Sequence, residues 1–321
     1  MALGEFQMID RLLKPLAEGF EGALGLTDDA ALLDLPAGRQ LVIAKDAIVE
    51  NVHFLTGDPP ASVARKLLRQ NLSDLAAMGA DPLAYLTVFG RRKDLPEAWL
   101  AEFAAGLAQD QAEFGLHLIG GDTVSTTGPL FFSLTILGTV PRGQALTRAG
   151  ARPGDLVCVS GTLGDGALGL RVLQGEAAPR EAAAWLAARY RVPSPRLSLG
   201  TALRGQASAC LDVSDGTLAD LQHILDTSGA ALGEPLGASI DATRLPLSDA
   251  AAAMPGAVAA ALTGGDDYEL LFTLPPERRP VLATLPFPVT VIGEITRDAG
   301  ITVTGPDGTP IEPGSAGWRH F

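Results

Sequence analysis

Short apolar segments alternate with longer amphipathic segments along this chain, and the alternation constrains its fold most strongly. The runs QLVIAKD (40–46) and LAYLTVF (83–89) are short and predict strands. Between them, Pro59 and Pro60 precede a segment whose apolar side chains recur with helical spacing, and Gly79 suits its C-terminal end. Both halves of the chain alternate in this way, so we predict an α/β (α+β) fold.

A stretch rich in Pro, Gly and Arg, PRGQALTRAGARPGD (141–155), marks the best domain boundary. With 321 residues, the chain is long enough for two domains that each bury a core. We therefore predict an N-terminal domain over residues 1–140 and a C-terminal α/β domain over residues 141–321.

Three further segments carry local predictions. Pro96 fits the first position of a helix that runs to Phe114. The run ITVTGPDGTPI (301–311) predicts a hairpin that turns at Asp307–Gly308. The alanine-rich stretch 249–263 predicts plain helix packing.

Charge and cysteine content exclude several classes of partner. The net charge is −13 and no block of basic residues occurs, which disfavours nucleic acid. Cys158 and Cys210 lie in apolar runs, so we expect buried free thiols in a reducing compartment. The N-terminus lacks the apolar core of a signal peptide, and the uncharged stretch 123–141 is predicted as loop and strand because of its Thr, Ser, Gly and Pro. We predict a cytoplasmic protein with no membrane partner.

Two polar side chains lie on the apolar face of the predicted helix after Pro60. At about 100° per residue, Asn71 and Asp74 share an arc with Leu67 and Leu75. The opposite, polar face takes Arg65, Lys66, Arg69, Gln70 and Ser73. A buried carboxylate without a partner costs several kcal/mol or gives up its charge. We therefore expect a partner for Asp74.

Acidic clusters recur where predicted strands give way to turns. They are TDD (27–29), KD (45–46), GGD (120–122), DVSD (212–215) and GGDD (264–267). Each cluster alone is ordinary turn chemistry, but their recurrence in a chain with only 19% charged residues indicates a common site.

Converging aspartates repel one another unless cations lie among them. Oxygen donors without paired His or Cys favour Mg²⁺, and glycines let backbone amides approach phosphate closely. Neither a P-loop nor a dinucleotide-binding glycine pattern occurs. From the residues alone we predict a Mg²⁺-dependent enzyme that acts on phosphates.

Seven motifs extend this prediction to a family. In order they are LTDDAALL, KDAIVENVHF, NLSDLAAMGADP, IGGDT, ALTRAGARPGD, LDVSDGTLADL and TGGDDYEL. With the closing GWRHF, the chain resembles the thiamine-monophosphate kinase family over essentially its whole length. NLSDLAAMGADP and IGGDT are shared by the wider aminoimidazole ribotide synthetase-like superfamily, whereas GGDDYEL and NVHF are specific to the kinase.

The resemblance implies a two-domain aminoimidazole ribotide synthetase-like fold and a homodimer that pairs through the sheets of its N-terminal domains. It implies ATP- and Mg²⁺-dependent phosphorylation of thiamine monophosphate to thiamine diphosphate by direct phosphoryl transfer. The alternatives are another ATP-dependent small-molecule synthase of the superfamily and a catalytically silent nucleotide-binding homologue.

The resemblance also assigns residues. The acids that match the magnesium ligands are Asp29, Asp46, Asp74, Asp122, Asp212 and Asp215. Four of these also match catalytic positions, namely Asp46, Asp74, Asp122 and Asp212. The nucleotide positions are Gly121, Asp122, Arg148 and Ser214, and the substrate positions are His53, Asp266 and Trp318.

Three points stay open at this level. Asn71 either hydrogen-bonds nearby backbone or binds a ligand. Trp318 either stacks on the substrate or anchors the tail to the core. Ala44 and Lys45 stand where the family usually has small hydroxyl residues, so Lys45 either weakens a metal contact or replaces its charge.

Overall fold

The structure is a computed structural model that describes residues 5–312, with side chains described from residue 7. The chain forms two compact units that divide between Gly143 and Gln144, and the short segment Ala76–Gly79 belongs to the second unit. The division falls inside the stretch 141–155 that the sequence marks as a boundary.

The first unit is built on a four-stranded sheet. Its strands are β1 (Arg39–Val49), β2 (Asp81–Arg91), β3 (His117–Ser125) and β4 (Phe131–Pro141). The order across the sheet is β1-β4-β2-β3, with β2 and β3 parallel and the other two pairs antiparallel. The two predicted strands therefore lie within β1 and β2.

Helices and short helical turns complete this unit. The long helices are α2 (Pro60–Ala77) and α3 (Glu97–Phe114). The N-terminal segment contains α1 (Glu5–Met8), a π-helical turn (Ile9–Leu13) and two 3₁₀ turns (Lys14–Ala17, Glu21–Leu26). Pro96 precedes α3 as its N-cap, one position before the place that the sequence predicts, and Gly115 ends the helix in the left-handed conformation.

One face of the sheet packs on α2 and α3, and the N-terminal helical turns cover part of the other face through Ala17 and Ala23. Phe103 of α3 stacks on Phe132 of β4 with ring centroids 4.5 Å apart, and Phe89 of β2 contacts both rings edge-on. Successive strand residues point to opposite faces. In β1, Ile48 is therefore fully buried, whereas Ile43 remains 60% exposed on the other face.

The polar side of α2 is buried, which its sequence of charged and polar residues does not indicate. Lys66 and Arg69 are only 2% and 6% exposed. The physical reason is Asp110 on α3, whose fully buried carboxylate accepts hydrogen bonds from Arg65 at 2.9 Å and from Arg69 at 2.8 Å. Lys66 donates to the backbone carbonyl of His53 at 2.9 Å. Cationic side chains can line a buried helix face when each finds an acceptor.

The second unit is built on a six-stranded sheet. Its strands are β5 (Leu156–Ser160), β6 (Ala209–Asp212), β7 (Gly237–Asp241), β8 (Leu270–Leu274), β9 (Val289–Thr296) and β10 (Gly300–Thr304). The order is β10-β7-β9-β5-β8-β6, and only β10 and β7 pair in parallel. The helices are α4 (Asp165–Leu173), α5 (Arg180–Arg191), α6 (Leu197–Leu203), α7 (Thr217–Leu232), α8 (Asp249–Ala252) and α9 (Ala257–Thr263).

Two local predictions in this unit need correction. The stretch 249–263 forms two short helices, α8 and α9, because Pro255 and Gly256 interrupt it and Gly256 takes a left-handed φ of 72°. The segment 301–311 does turn at Asp307–Gly308, and the amides of Gly305 and Ile311 donate across the turn to the carbonyls of Thr309 and Val303, both at 2.8 Å. The second arm is an isolated bridge at Pro310 and not a full strand, and β10 pairs along its length with β7.

The expectation for the two cysteines holds. Cys158 and Cys210 are buried free thiols, and burial raises the pKa of Cys158 to about 12. Within residues 5–312, none of the helices combines the length and the apolar character that a membrane span requires.

The Asp110 cluster generates a stability prediction. Replacing Asp110 with Ala leaves the buried Arg69 without its main acceptor, so the free energy of unfolding should fall by about 3–5 kcal/mol. Replacing Glu113, which contacts the same Arg69 but is 47% exposed, should cost less than about 1 kcal/mol. Urea denaturation of both variants measures the difference, and equal losses would contradict the buried role of Asp110.

Candidate active site

A cavity of about 520 Å³ lies on the first unit where its four strands meet the N-terminal segment. Asp28 and Asp29 border it from the N-terminal side, and Gly121 and Asp122 of β3 border it from the sheet. Lys45 of β1 lines the same cavity and donates a hydrogen bond to Thr135 Oγ1 at 3.2 Å. The cavity therefore combines predicted metal and nucleotide positions with a cationic side chain.

Gly121 permits a close approach between two strands. A Cβ atom at this position would lie 2.0 Å from the backbone oxygen of Thr87, so no other residue fits without moving the sheet. The next residue, Asp122, is exposed, and its Oδ1 accepts from the amide of Thr123 at 2.8 Å. Asp122 lies inside β3, because the pairing of β3 with β2 continues to Ser125, and Lys45 and Asp46 likewise lie inside β1. The prediction that the clusters GGD (120–122) and KD (45–46) lie where strands give way to turns is therefore wrong.

Asp46 and Asp74 lie on the helix side of the same sheet. Strand alternation points Asp46 away from the face that carries Lys45. Asn71, fully buried on α2, accepts from the amide of Asp46 at 3.1 Å and donates to the carbonyl of Leu67 at 2.8 Å. Asn71 therefore bonds to backbone, and it ties α2 to β1 beside the half-buried Asp74. Neither Asp46 nor Asp74 is among the described residues that line the cavity.

His53 lies in the turn after β1 and is half-buried. Its Nδ1 accepts a hydrogen bond from the amide of Val49 at 3.1 Å, and its carbonyl accepts from Lys66 Nζ at 2.9 Å. An imidazole whose Nδ1 is an acceptor carries its proton on Nε2 when neutral. The backbone contact therefore selects the tautomer of a predicted substrate-binding residue.

In the second unit, the DVSDG turn (212–216) and the GGDDYE segment (264–269) run side by side. The antiparallel pairing of β6 and β8 continues past the strand ends through Val213, whose amide donates to Glu269 O and whose carbonyl accepts from Tyr268 N, both at 2.8 Å. The amide of Asp266 donates to the carbonyl of Ser214 at 3.0 Å. The structure thus brings a predicted substrate residue, Asp266, next to a predicted nucleotide residue, Ser214.

The GGDDYE segment is strained. Asp266 and Tyr268 have φ values of 67° and 52°, which side-chain-bearing residues rarely adopt. Tyr268 Oη donates to Asp266 Oδ1 at 3.0 Å, which holds the aspartate in this conformation. Strain of this kind persists only where the surroundings over-determine it, and it is concentrated at functional sites.

Sequence reasoning missed Asp220, which lies on α7 and is 3% exposed. Its Oδ2 accepts from the amides of Ser214, Asp215 and Gly216 at 3.0–3.1 Å. Burial and the nearby charge of Asp212 raise the pKa of Asp220 to about 7. The missed signal is an aspartate on the apolar face of a predicted helix, the same signal that identified Asp74.

Sequence reasoning also missed a buried network of hydrogen bonds and ion pairs behind the GGDDYE segment. Asp267 is 1% exposed and accepts from the amides of Gly164 and Gly166 at 2.6 and 2.9 Å. Glu269, fully buried, accepts from Arg196 Nε at 2.6 Å and from Arg189 at 3.1 Å. The network joins the glycine-rich turn before α4 to the segment that carries Asp266.

The other predicted site residues are Asp212, Asp215, Arg148 and Trp318. Asp215 is half-buried beside Ser214, and Asp212 is 7% exposed at the end of β6. Arg148 is exposed in the loop after the unit boundary, where its carbonyl accepts from Ser228 Oγ at 3.0 Å. Trp318 lies outside the described residues. Within residues 5–312, no group of three or more His, Cys, Asp or Glu side chains has the arrangement that would hold a metal ion.

Comparison with known proteins first defines the class. Residues 27–140 match the family described as AIR synthase related protein, N-terminal domain. With the two sheets and their helices, this match identifies an aminoimidazole ribotide synthetase-like fold of mixed α/β class, as the sequence predicts.

Full-length relatives define the family. The thiamine-monophosphate kinase of Caulobacter vibrioides is 44% identical over 328 residues, covering 98% of this chain and 90% of that protein. The thiamine-monophosphate kinase of Escherichia coli (strain K12) is 43% identical, covering 100% of this chain and 99% of that protein. This chain therefore belongs to the thiamine-monophosphate kinase family.

Solved structures agree with this assignment. The crystal structure of the thiamine-monophosphate kinase from Stenotrophomonas maltophilia K279a superimposes with a TM-score of 0.83 at 40% identity, covering 97% of this chain and 99% of that chain. AaThiL complexed with AMPPCP and TMP has a TM-score of 0.78 at 31% identity, covering 100% of this chain and 99% of that chain.

The buried Asp267 predicts a pH dependence of stability. Burial raises the pKa of Asp267 from 3.8 to about 8, so unfolding releases its proton at neutral pH. The stability contributed by the protonated form is complete below about pH 4 and is lost as the pH rises through 8. Between pH 6 and 8, we expect the wild type to lose stability more steeply than Asp267→Asn, by up to about 1.4 kcal/mol per pH unit.

Urea denaturation at several pH values, followed by circular dichroism, measures these slopes. The control is Asp226→Asn, because Asp226 is exposed on α7 and should leave the slope unchanged. Parallel slopes for the wild type and Asp267→Asn would show that Asp267 is ionised in the folded protein at pH 6.

Proposed function

We propose that this protein transfers the γ-phosphoryl group of ATP to thiamine monophosphate and so forms thiamine diphosphate. The observation that carries the proposal is the full-length similarity to AaThiL, whose structure holds AMPPCP, an analogue of ATP, together with TMP. The thiamine-monophosphate kinases at 43–44% identity identify TMP as thiamine monophosphate.

Phosphoryl transfer to this acceptor requires the protein to position the two substrates and does not require it to transfer a proton. The acceptor is a phosphate that is already ionised near neutral pH, so no general base is needed. We propose direct in-line transfer with no phosphoenzyme, in which the protein orients the two polyanions and stabilises charge on the transferring group. We propose that the nucleotide is bound by Gly121, Asp122, Arg148 and Ser214. The guanidinium of Arg148 would donate two parallel hydrogen bonds to a phosphate group.

We propose His53, Asp266 and Trp318 as the thiamine monophosphate positions. Thiamine carries a cationic aromatic ring, which a tryptophan face and a carboxylate both attract. The strained conformation of Asp266 supports this role, because the Tyr268 hydroxyl and the Ser214 carbonyl hold it in a single orientation. The hydrogen bond from the Val49 amide to Nδ1 places the proton of the neutral His53 ring on Nε2.

The acidic residues fit Mg²⁺ by the chemistry of their donors. All of them are carboxylates, which magnesium prefers. In the second unit, the charges of Asp212 and Asp215 both raise the pKa of Asp220, so negative charge is concentrated there and a cation would relieve it. We propose Asp29, Asp46, Asp74, Asp122, Asp212 and Asp215 as the magnesium ligands. Bound Mg²⁺ would screen the repulsion between the two phosphate chains.

We further propose that the protein is a cytoplasmic homodimer that binds neither nucleic acid nor membrane. The face of the first sheet opposite α2 and α3 supports pairing, because it carries Ile43 at 60% exposure, and Val124 of the edge strand β3 is 36% exposed. Two such faces could bury these side chains against each other.

An assay of product formation tests the proposal. The protein is incubated with ATP, Mg²⁺ and thiamine monophosphate, and thiamine diphosphate is quantified by chromatography, with free thiamine as a parallel acceptor. The expected result is thiamine diphosphate from the monophosphate alone, and only with Mg²⁺. Bound ATP without turnover of this acceptor would contradict the proposal and favour a silent nucleotide-binding homologue.

Asp74 provides a second prediction. Asp74→Asn removes one proposed metal ligand while keeping the size of the side chain, so turnover should fall by at least ~10²-fold with the fold intact. The matched control is Asp226→Asn, another aspartate on a helix, which is exposed and should keep full turnover. Near-normal turnover of Asp74→Asn in the same assay would refute the assignment.

A further inference from the structure

The DVSDG turn (212–216) has an unusual arrangement of backbone amides. Three successive amides, those of Ser214, Asp215 and Gly216, donate to a single oxygen, Oδ2 of Asp220, at 3.0, 3.1 and 3.1 Å. Such a nest of amides forms a site for one anionic oxygen. Asp220 fills the nest from the first turn of α7, and its side chain is held there at 3% exposure.

The opposite edge of the turn is held by the GGDDYE segment. The carbonyl of Ser214 accepts from Asp266 N, and the carbonyl of Val213 accepts from Tyr268 N. A Cβ atom on Gly265 would lie 2.3 Å from the Ser214 oxygen, so the two segments are in close contact. The turn is therefore fixed from two sides. Asp220 accepts hydrogen bonds from the amides of the turn, and residues 264–268 donate hydrogen bonds to the carbonyls of the turn.

This arrangement links Asp220, which has no predicted role, to four residues with predicted roles in binding metal, nucleotide or substrate. The turn carries Asp212, Ser214 and Asp215, and the Ser214 carbonyl orients Asp266. Asp220 faces the amide edge of the turn, so it acts on these groups through the backbone and not by touching a ligand. Loss of its oxygen leaves three amides without their acceptor, and the turn must then move to find others.

We propose that Asp220 is a positioning residue for the phosphoryl-transfer reaction, because it sets the backbone of the turn that presents Asp212, Ser214 and Asp215. The inference rests on the proposed function. The claim that Asp220 anchors the turn does not depend on which reaction the protein catalyses.

Two substitutions separate positioning from general stability. In Asp220→Asn, the amide oxygen can occupy the place of Oδ2 and accept the same three hydrogen bonds. In Asp220→Ala, no acceptor remains. We expect Asp220→Ala to lower kcat for thiamine monophosphate phosphorylation at least about tenfold, because small displacements of catalytic groups have large kinetic effects. We expect Asp220→Asn to keep kcat within about threefold of the wild type.

Hydrogen exchange of the full chain supplies a readout that does not depend on activity. The amides of residues 214–216 should exchange at least about tenfold faster in Asp220→Ala than in the wild type, and at near wild-type rates in Asp220→Asn. Asp226→Ala is the matched control on the same helix, since Asp226 is exposed, and it should change neither exchange nor kcat.

Each outcome decides the proposal. Fast exchange with unchanged kcat in Asp220→Ala would overturn it, as would an equal loss of kcat in both variants with the amides still protected. If Asp220→Ala does not fold, Asp220→Glu replaces it. The longer side chain should shift the turn and lower kcat at least about tenfold in a folded protein, and full activity would overturn the proposal. A wild type that fails to phosphorylate thiamine monophosphate refutes the proposed function, whereas the exchange data alone test the anchoring.

Discussion

The backbone pairing of β6 with β8 beyond the ends of both strands is the interaction on which the second unit's site depends. Through Val213, this pairing aligns the DVSDG turn with the GGDDYE segment. The buried ion pairs of Glu269 with Arg189 and Arg196 then fix the segment from behind, and Arg189 also donates to the backbone carbonyl of Asp267. A buried charge without its partner is strongly destabilising, so this network resists any shift of the segment that carries Asp266.

In the first unit, the sheet and one buried asparagine position the predicted site residues. Its sheet separates the predicted acids, with Asp46 on the helix side and Asp122 beside the cavity that Lys45 lines. Asn71 connects the helix that carries Asp74 to the strand that carries Asp46 by accepting from the Asp46 amide, and it donates to the Leu67 carbonyl of its own helix. Asp74 is half-buried beside Asn71 on the otherwise apolar face of α2, the face from which Asn71 bonds to β1.

Sequence patterns predicted the parts of this structure that depend on local spacing. The strands β1 and β2, the helix α2 and the turn after β6 all follow from short-range periodicity and turn chemistry, whereas the predicted turn at 120–122 lies inside β3. The patterns did not predict features that depend on a residue distant in the sequence. The polar side of α2 is buried because Asp110, on another helix, neutralises Arg65 and Arg69.

Two further omissions have the same origin. The strands β7 and β8 are five residues each, and runs that short do not distinguish a strand from part of a helix. Asp267 and Asp220 looked like ordinary turn and helix residues because their partners are backbone amides, which a sequence does not display. The family resemblance supplied residue roles, but the hydrogen bonds that hold those residues in place are visible only in the fold.

A crystal structure of this protein with AMPPCP, Mg²⁺ and thiamine monophosphate would test the central claim most directly. Our account predicts carboxylate oxygens of Asp74 and Asp212 at about 2.0–2.1 Å from magnesium, with Asp266 in contact with the thiamine moiety. Phosphates bound elsewhere, with Asp46, Asp74, Asp122 and Asp212 contacting neither metal nor ligand, would contradict it.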